Sequence, residues 1–128
     1  MNLVCHPCAV SDRKGPTRLL SPRGFEGSSR LPETQEEGSG VIDVNTITLD
    51  EALVGQRADL LKVDVEGFEL RVMEGARETI RAVKWIVIEA HTSEHLWRIQ
   101  RFLGSGWDCK QLGVSDYLFT PADGTEDL

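Results

Sequence analysis

Asp64, Glu66, Glu89 and His91 are the residues best placed to do chemistry in this 128-residue chain. A carboxylate can orient a polar ligand and take up a proton, and an imidazole titrates near neutrality. The four fall in two pairs, each at the end of a short apolar run: Leu60–Val65 before the first, Trp85–Ile88 before the second. Ligands of open α/β sheets bind just outside the carboxyl ends of the strands. If both runs are neighbouring strands, four ionisable side chains meet on one edge and can serve as site and general base. Each residue also has a plainer reading. Asp64 can cap the helix that follows. Glu66 can interact with that helix's dipole. A single His in a loop is often only a hydrogen-bonded surface residue.

The elements that must position them are readable from periodicity. The first run is rich in branched residues and broken by one Lys before Asp64, the pattern of a strand buried on both faces. Gly67 permits a tight turn. Phe68, Val72, Met73, Ala76, Ile80 and Val83 then recur at helical spacing with charged residues between them, which predicts a helix over 68–82. Glu69, one turn in, is expected in solvent. Strand, helix and strand form a βαβ unit, so 60–65 and 85–90 should pair in parallel.

Upstream, 3–10 and 17–20 read as short strands around the turn at Ser11–Pro16. Residues 21–40, rich in Ser, Pro, Gly and Glu, read as a mobile loop. Val41–Ile47 reads as an edge strand, and Thr48-Leu49-Asp50-Glu51 as a capping box opening a short helix that stops near Gly55. Downstream, Thr92 or Ser93 can cap a helix carrying Leu96, Ile99, Phe102 and Leu103, ended by Gly104 and Gly106. Residues 107–112 and 116–120 read as an antiparallel hairpin. One domain over 1–120 and an acidic tail over 121–128 complete the expectation. The class is α/β with a mainly parallel sheet.

A net charge of −7 excludes a phosphate-backbone binder, which needs clustered Lys and Arg, and disfavours an anionic membrane surface. No apolar run approaches the roughly 18 residues of a membrane span. The opening MNLVCHPCAV lacks a basic segment before a long apolar stretch, so it does not read as a signal peptide and a cytoplasmic protein is expected. Cys5-His6-Pro7-Cys8 has the spacing of a zinc knuckle or redox motif. Zinc needs four ligands and no second such pair exists, while a redox pair should lead into a helix rather than a turn. No metal site is expected.

Leu61-Lys62-Val63-Asp64-Val65-Glu66-Gly67-Phe68-Glu69, followed by Val72-Met73-Glu74-Gly75-Ala76, resembles the signature of FkbM-type methyltransferases. Ala9-Val10-Ser11-Asp12 with Gly15, Thr48-Leu49-Asp50, and Ile88-Glu89 resemble further family segments in the same order. The resemblance implies a class I, Rossmann-like fold and S-adenosyl-L-methionine as cofactor. It implies cofactor-binding roles for Ser11 and Asp12, near adenine, and for Asp64. It also implies O-methylation of a sugar or natural-product hydroxyl, the acceptor being a small molecule or a glycan. Asp64, Glu66, Glu89 and His91 are the catalytic candidates. The family's N-terminal glycine-rich motif and its ribose-binding acid have no counterpart here. The chain therefore resembles the C-terminal part of the domain, and two outcomes are expected. Either the protein is the methyltransferase, a partner chain being one source of the missing half, or it is a truncated non-catalytic remnant or interaction module of the same fold.

Overall fold

The computed structural model describes residues 2–20 and 41–122. The expected loop over 21–40 and the tail from 123 onward lie outside the described residues. The architecture is mixed α/β with two small sheets. In the first, β1 (Ala9–Val10) runs parallel to β3 (Val41–Ile47), and β2 (Gly15–Leu20) pairs antiparallel on its other side. The expected edge strand Val41–Ile47 is thus the central one. Of the strand expected over 3–10, only Ala9–Val10 forms, beyond Pro7.

The second sheet has the order β4-β5-β7-β6. β4 (Leu60–Val63) and β5 (Trp85–Glu89) are parallel, with Leu61 opposite Ile86 and Val63 opposite Ile88. β6 (Trp107–Gln111) and β7 (Asp116–Pro121) form the expected antiparallel hairpin, and β7 adds to β5 antiparallel. Each sheet contains one parallel pair, so neither is mainly parallel. Parallel neighbours require a long crossover, and in the second sheet the segment between β4 and β5 supplies it.

The core lies on one face of the second sheet. Leu61, Val63, Ile86, Ile88 and Phe119 pack there against Val72, Met73, Ala76, Ile80 and Ile99 of the helices. β4 alternates exposed and buried, with Leu60 and Lys62 facing out. The expectation that it is buried on both faces fails because, among the described residues, the core forms on one side only.

The expected helix over 68–82 is two helices, α2 (Glu69–Glu74) and α3 (Arg77–Ala82), after the short α1 (Leu49–Ala52). The break falls at a close approach of two backbone segments. Gly75 passes so close to the loop after β1 that a Cβ there would sit 2.3 Å from the Ser11 carbonyl oxygen. The interruption also receives caps from a distance. The Gly75 carbonyl accepts from the Asp50 N–H, and the Asp50 carboxylate accepts from Glu78 N, Thr79 N and Thr79 Oγ1. Thr48 caps its own helix, accepting from Glu51 N at 3.1 Å. The Thr-Leu-Asp segment therefore starts α1 with one side chain and α3 with another. Helix α4 (Ser93–Leu103) is capped by Thr92, accepting from His95 N, and ends at Gly104 with φ +82°.

Two measurements follow. Gly75→Ala should destabilise the fold by about 1–3 kcal/mol, because the neighbour is backbone and cannot swing away; the shift in urea midpoint reads this. Asp50→Ala should cost about 1 kcal/mol at neutral pH through loss of the α3 cap. Burial pushes the Asp50 carboxyl up, but the Thr79 and Glu78 bonds outweigh it and hold the group below its ordinary value. A carboxyl depressed in the folded state contributes stability above its unfolded pKa and loses it as pH falls through its folded pKa. The gap between the wild type and Asp50→Ala should therefore be full at pH 7 and close in the acid range, in paired urea titrations.

Candidate functional site

The chain leaves β4 through Asp64 and reverses at Val65–Phe68. Phe68 N donates to Val65 O, with Glu66 at φ +52° and Gly67 at φ +93°. Those two values are the φ signature of a type I′ turn, which wants glycine at both central positions. Only Gly67 meets that demand. The first residue of α2 makes up for it: Glu69 is fully buried and its Oε1 accepts from both Val65 N and Gly67 N, each at 3.3 Å. The expectation that Glu69 is solvated is wrong. The signal was present, since Glu69 stands three and four residues before Val72 and Met73, on the apolar stripe. Its charge hid that position. Nor does Asp64 cap the helix: the N-cap position of α2 is Phe68, with no side-chain cap.

Glu89 ends β5, beside Asp64, and His91 follows it. Oxygens of Asp64, Glu69 and Glu89 lie within 4.8 Å of one another, as do ligand atoms of Glu66, Glu89 and His91. Asp64, Glu66, Glu89 and His91 thus gather at the carboxyl edge of the β4–β5 pair, with Glu89 common to both trios. His91 Nε2 bonds to Glu89 Oε1. Burial, then the nearby charges of Asp64 and Glu66, pushes the Glu89 carboxyl above its ordinary range against the pull of His91. The Glu89 bond and charge raise His91 in turn. Behind the cluster, His95 Nε2 on α4 stands 3.6 Å from Glu69 Oε2, and both atoms are buried with no hydrogen-bond partner among the described residues.

Ser11 and Asp12 belong to a different space. They line a cavity of about 380 Å³ with Thr46, Phe68 and Arg71. Ser11 Oγ donates to Asp12 Oδ1, and Arg71 Nη1 donates to Asp12 Oδ2. Burial opposes ionisation of Asp12, yet the Ser11 bond, its own N–H, Arg13 and Arg71 together hold its carboxyl below the usual range. A second cavity, about 560 Å³ and mostly apolar, is lined by Val10, Val44, Asp64, Val65 and Phe68 among others. Phe68 is the wall between the two. Of these two cavities, Ser11 and Asp12 line the first and Asp64 the second, and Glu66, Glu89 and His91 line neither. Cys5 and Cys8 are free thiols, outside every metal-ligating group found among the described residues.

The acid- and imidazole-bearing strand edge lies beside an apolar cavity, with Asp64 common to both. The family described as Methyltransferase FkbM domain matches residues 4–110, and the chain belongs to it. No curated protein and no solved structure matches the chain. No helix among the described residues is long and apolar enough to cross a membrane.

Replacing Glu69 by Ala should leave the Val65 and Gly67 amides without their acceptor. Their hydrogen exchange should accelerate selectively, and the urea midpoint should fall by the equivalent of about 1–3 kcal/mol. Unchanged exchange at both amides would show that the turn does not depend on this carboxylate.

Proposed function

We propose that the protein transfers a methyl group from S-adenosyl-L-methionine to a hydroxyl oxygen of a sugar or natural product. The observation that carries this reading is the family match over residues 4–110, with its signature segment forming the turn that bears Asp64 and Glu66. The residues fit the sulfonium end of the cofactor. The larger cavity offers apolar walls, the Phe68 ring and one carboxylate, Asp64, a combination suited to a cation carried on an apolar frame. Ser11 and Asp12, across Phe68, are the proposed adenine side. When bound, the cofactor supplies an electrophilic methyl group.

The chain's own part is positioning and proton removal. Asp64 orients the cationic end of the donor. Nε2 of His91 is engaged by Glu89, which leaves Nδ1 free to accept the hydroxyl proton. Glu89 fixes the ring's orientation and balances the charge it gains. Glu66, beside both, aligns the acceptor.

The sequence contains no G-x-G-x-x-G turn. Each hydrogen bond such a turn would provide is worth roughly 0.5–1.5 kcal/mol net. Losing three or four weakens cofactor binding by orders of magnitude, at about 1.4 kcal/mol per tenfold. The outer edge of β4 carries no strand among the described residues. An unpaired edge of this kind can accept a further strand, from this protein or from a partner chain. The same edge favours a second reading, a binding module that pairs through it without catalysis.

Calorimetry with S-adenosylhomocysteine should show binding by this chain weaker than micromolar, and tighter binding overturns the weak-grip reading. Transfer from labelled cofactor to a panel of glycan and natural-product hydroxyls should appear at high cofactor concentration. His91→Asn should lower its kcat by about 10²–10⁴-fold. No transfer to any hydroxyl favours the binding module.

A further inference from the structure

The carboxylate cluster holds a buried oxygen that the proposed reaction does not use. Glu69 is fully buried; its Oε1 serves the turn amides, while its Oε2 is buried with no hydrogen-bond partner. The facing His95 Nε2, 3.6 Å away, is orphaned too. Buried polar atoms are nearly always partnered, and an exception calls for a missing ligand or ion. Two further acids crowd Glu69 beside the His95 ring: oxygens of Asp64 and Glu89 lie within 4.8 Å of its own. Three carboxylates at that separation repel one another, and the cost is greatest for a member shielded from water.

We propose that Asp64, Glu69 and Glu89 bind a divalent cation of the hard, oxygen-seeking kind, Mg²⁺ or Mn²⁺. An all-carboxylate donor set selects such ions over zinc or copper. The alternative trio of Glu66, Glu89 and His91 is less suited: His91 and Glu89 already satisfy each other, and Glu66 and His91 are open to solvent. Glu89 belongs to both trios: its Oε1 is engaged by His91, and a carboxylate has a second oxygen to offer. Asp64 is exposed and gives the ion its entry path. With three protein ligands, the remaining positions of an octahedral ion are open to water or to an acceptor oxygen.

The test uses Mn²⁺ alone, read by electron paramagnetic resonance for stoichiometry and by paramagnetic broadening of amide signals for location. It does not depend on methyl transfer. One Mn²⁺ per chain should bind, broadening Val65, Gly67 and His95 first, and Mg²⁺ should displace it. Asp64→Asn and Glu89→Gln should each weaken binding at least tenfold. Asp43→Asn, at an exposed acid on β3, should leave it unchanged. Asp64→Asn alters only an exposed side chain, so it keeps the test clear of the folding risk at Glu69. Failure to bind Mn²⁺ at millimolar concentration overturns the proposal. So does binding that survives both substitutions, or broadening spread over the acidic surface.

Discussion

The acceptance of two turn amides by one buried carboxylate is the interaction on which the site depends. Glu69 fastens Val65 N and Gly67 N, and so holds Asp64 and Glu66 against the end of β5. The burial of Glu69 would be costly without those donors, and the turn would lack a reason to keep Glu66 at a positive φ without Glu69. Each makes the other tolerable. Helix α2, starting at Glu69, therefore does two jobs: its apolar stripe through Val72 and Met73 joins the core, and its first side chain shapes the turn that bears Asp64 and Glu66.

The central βαβ unit was legible because its signals are local. An apolar run, a glycine turn, a helical period and a second apolar run lie within residues 60–90, and β4 and β5 pair in parallel as that order demands. What escaped depends on contacts distant in the chain. Periodicity carries straight through Gly75, and nothing nearby announces that Ser11 will pass within contact of it. The central place of β3 depends on β1 and β2 pairing on either side. The exposure of Leu60 and Lys62 depends on what lies across the sheet. For the site, the gathering of Asp64, Glu66, Glu89 and His91 at one edge follows from the ends of two adjacent strands. The burial of Glu69 went unread because a charged residue was weighed by its type rather than by its position on the stripe.

Among the described residues the two sheets are linked by apolar packing of Val10 and Leu49 against the core and by several polar or close backbone contacts. Arg71 on α2 reaches Asp12, the Gly75 backbone abuts Ser11, and Asp50 connects the end of the first sheet to the start of α3. Phe68, the last residue of the turn, walls both cavities. The segments that resemble the family outside its main signature, around Ser11-Asp12 and Thr48-Leu49-Asp50, are the ones that make these junctions. Their residue types are explained by assembly of the fold, whatever further part they take in ligand binding.

Glu66 bears on how this protein could change. A side chain with a Cβ held at φ +52° stores roughly 1–2 kcal/mol of backbone strain. Glycine at that position would release the strain and make the turn more stable, at the expense of a carboxylate in the cluster. Stability and chemistry thus pull in opposite directions at a single residue. Selection for robustness alone, in the laboratory or in a lineage that no longer needs the site, would drift toward glycine at position 66.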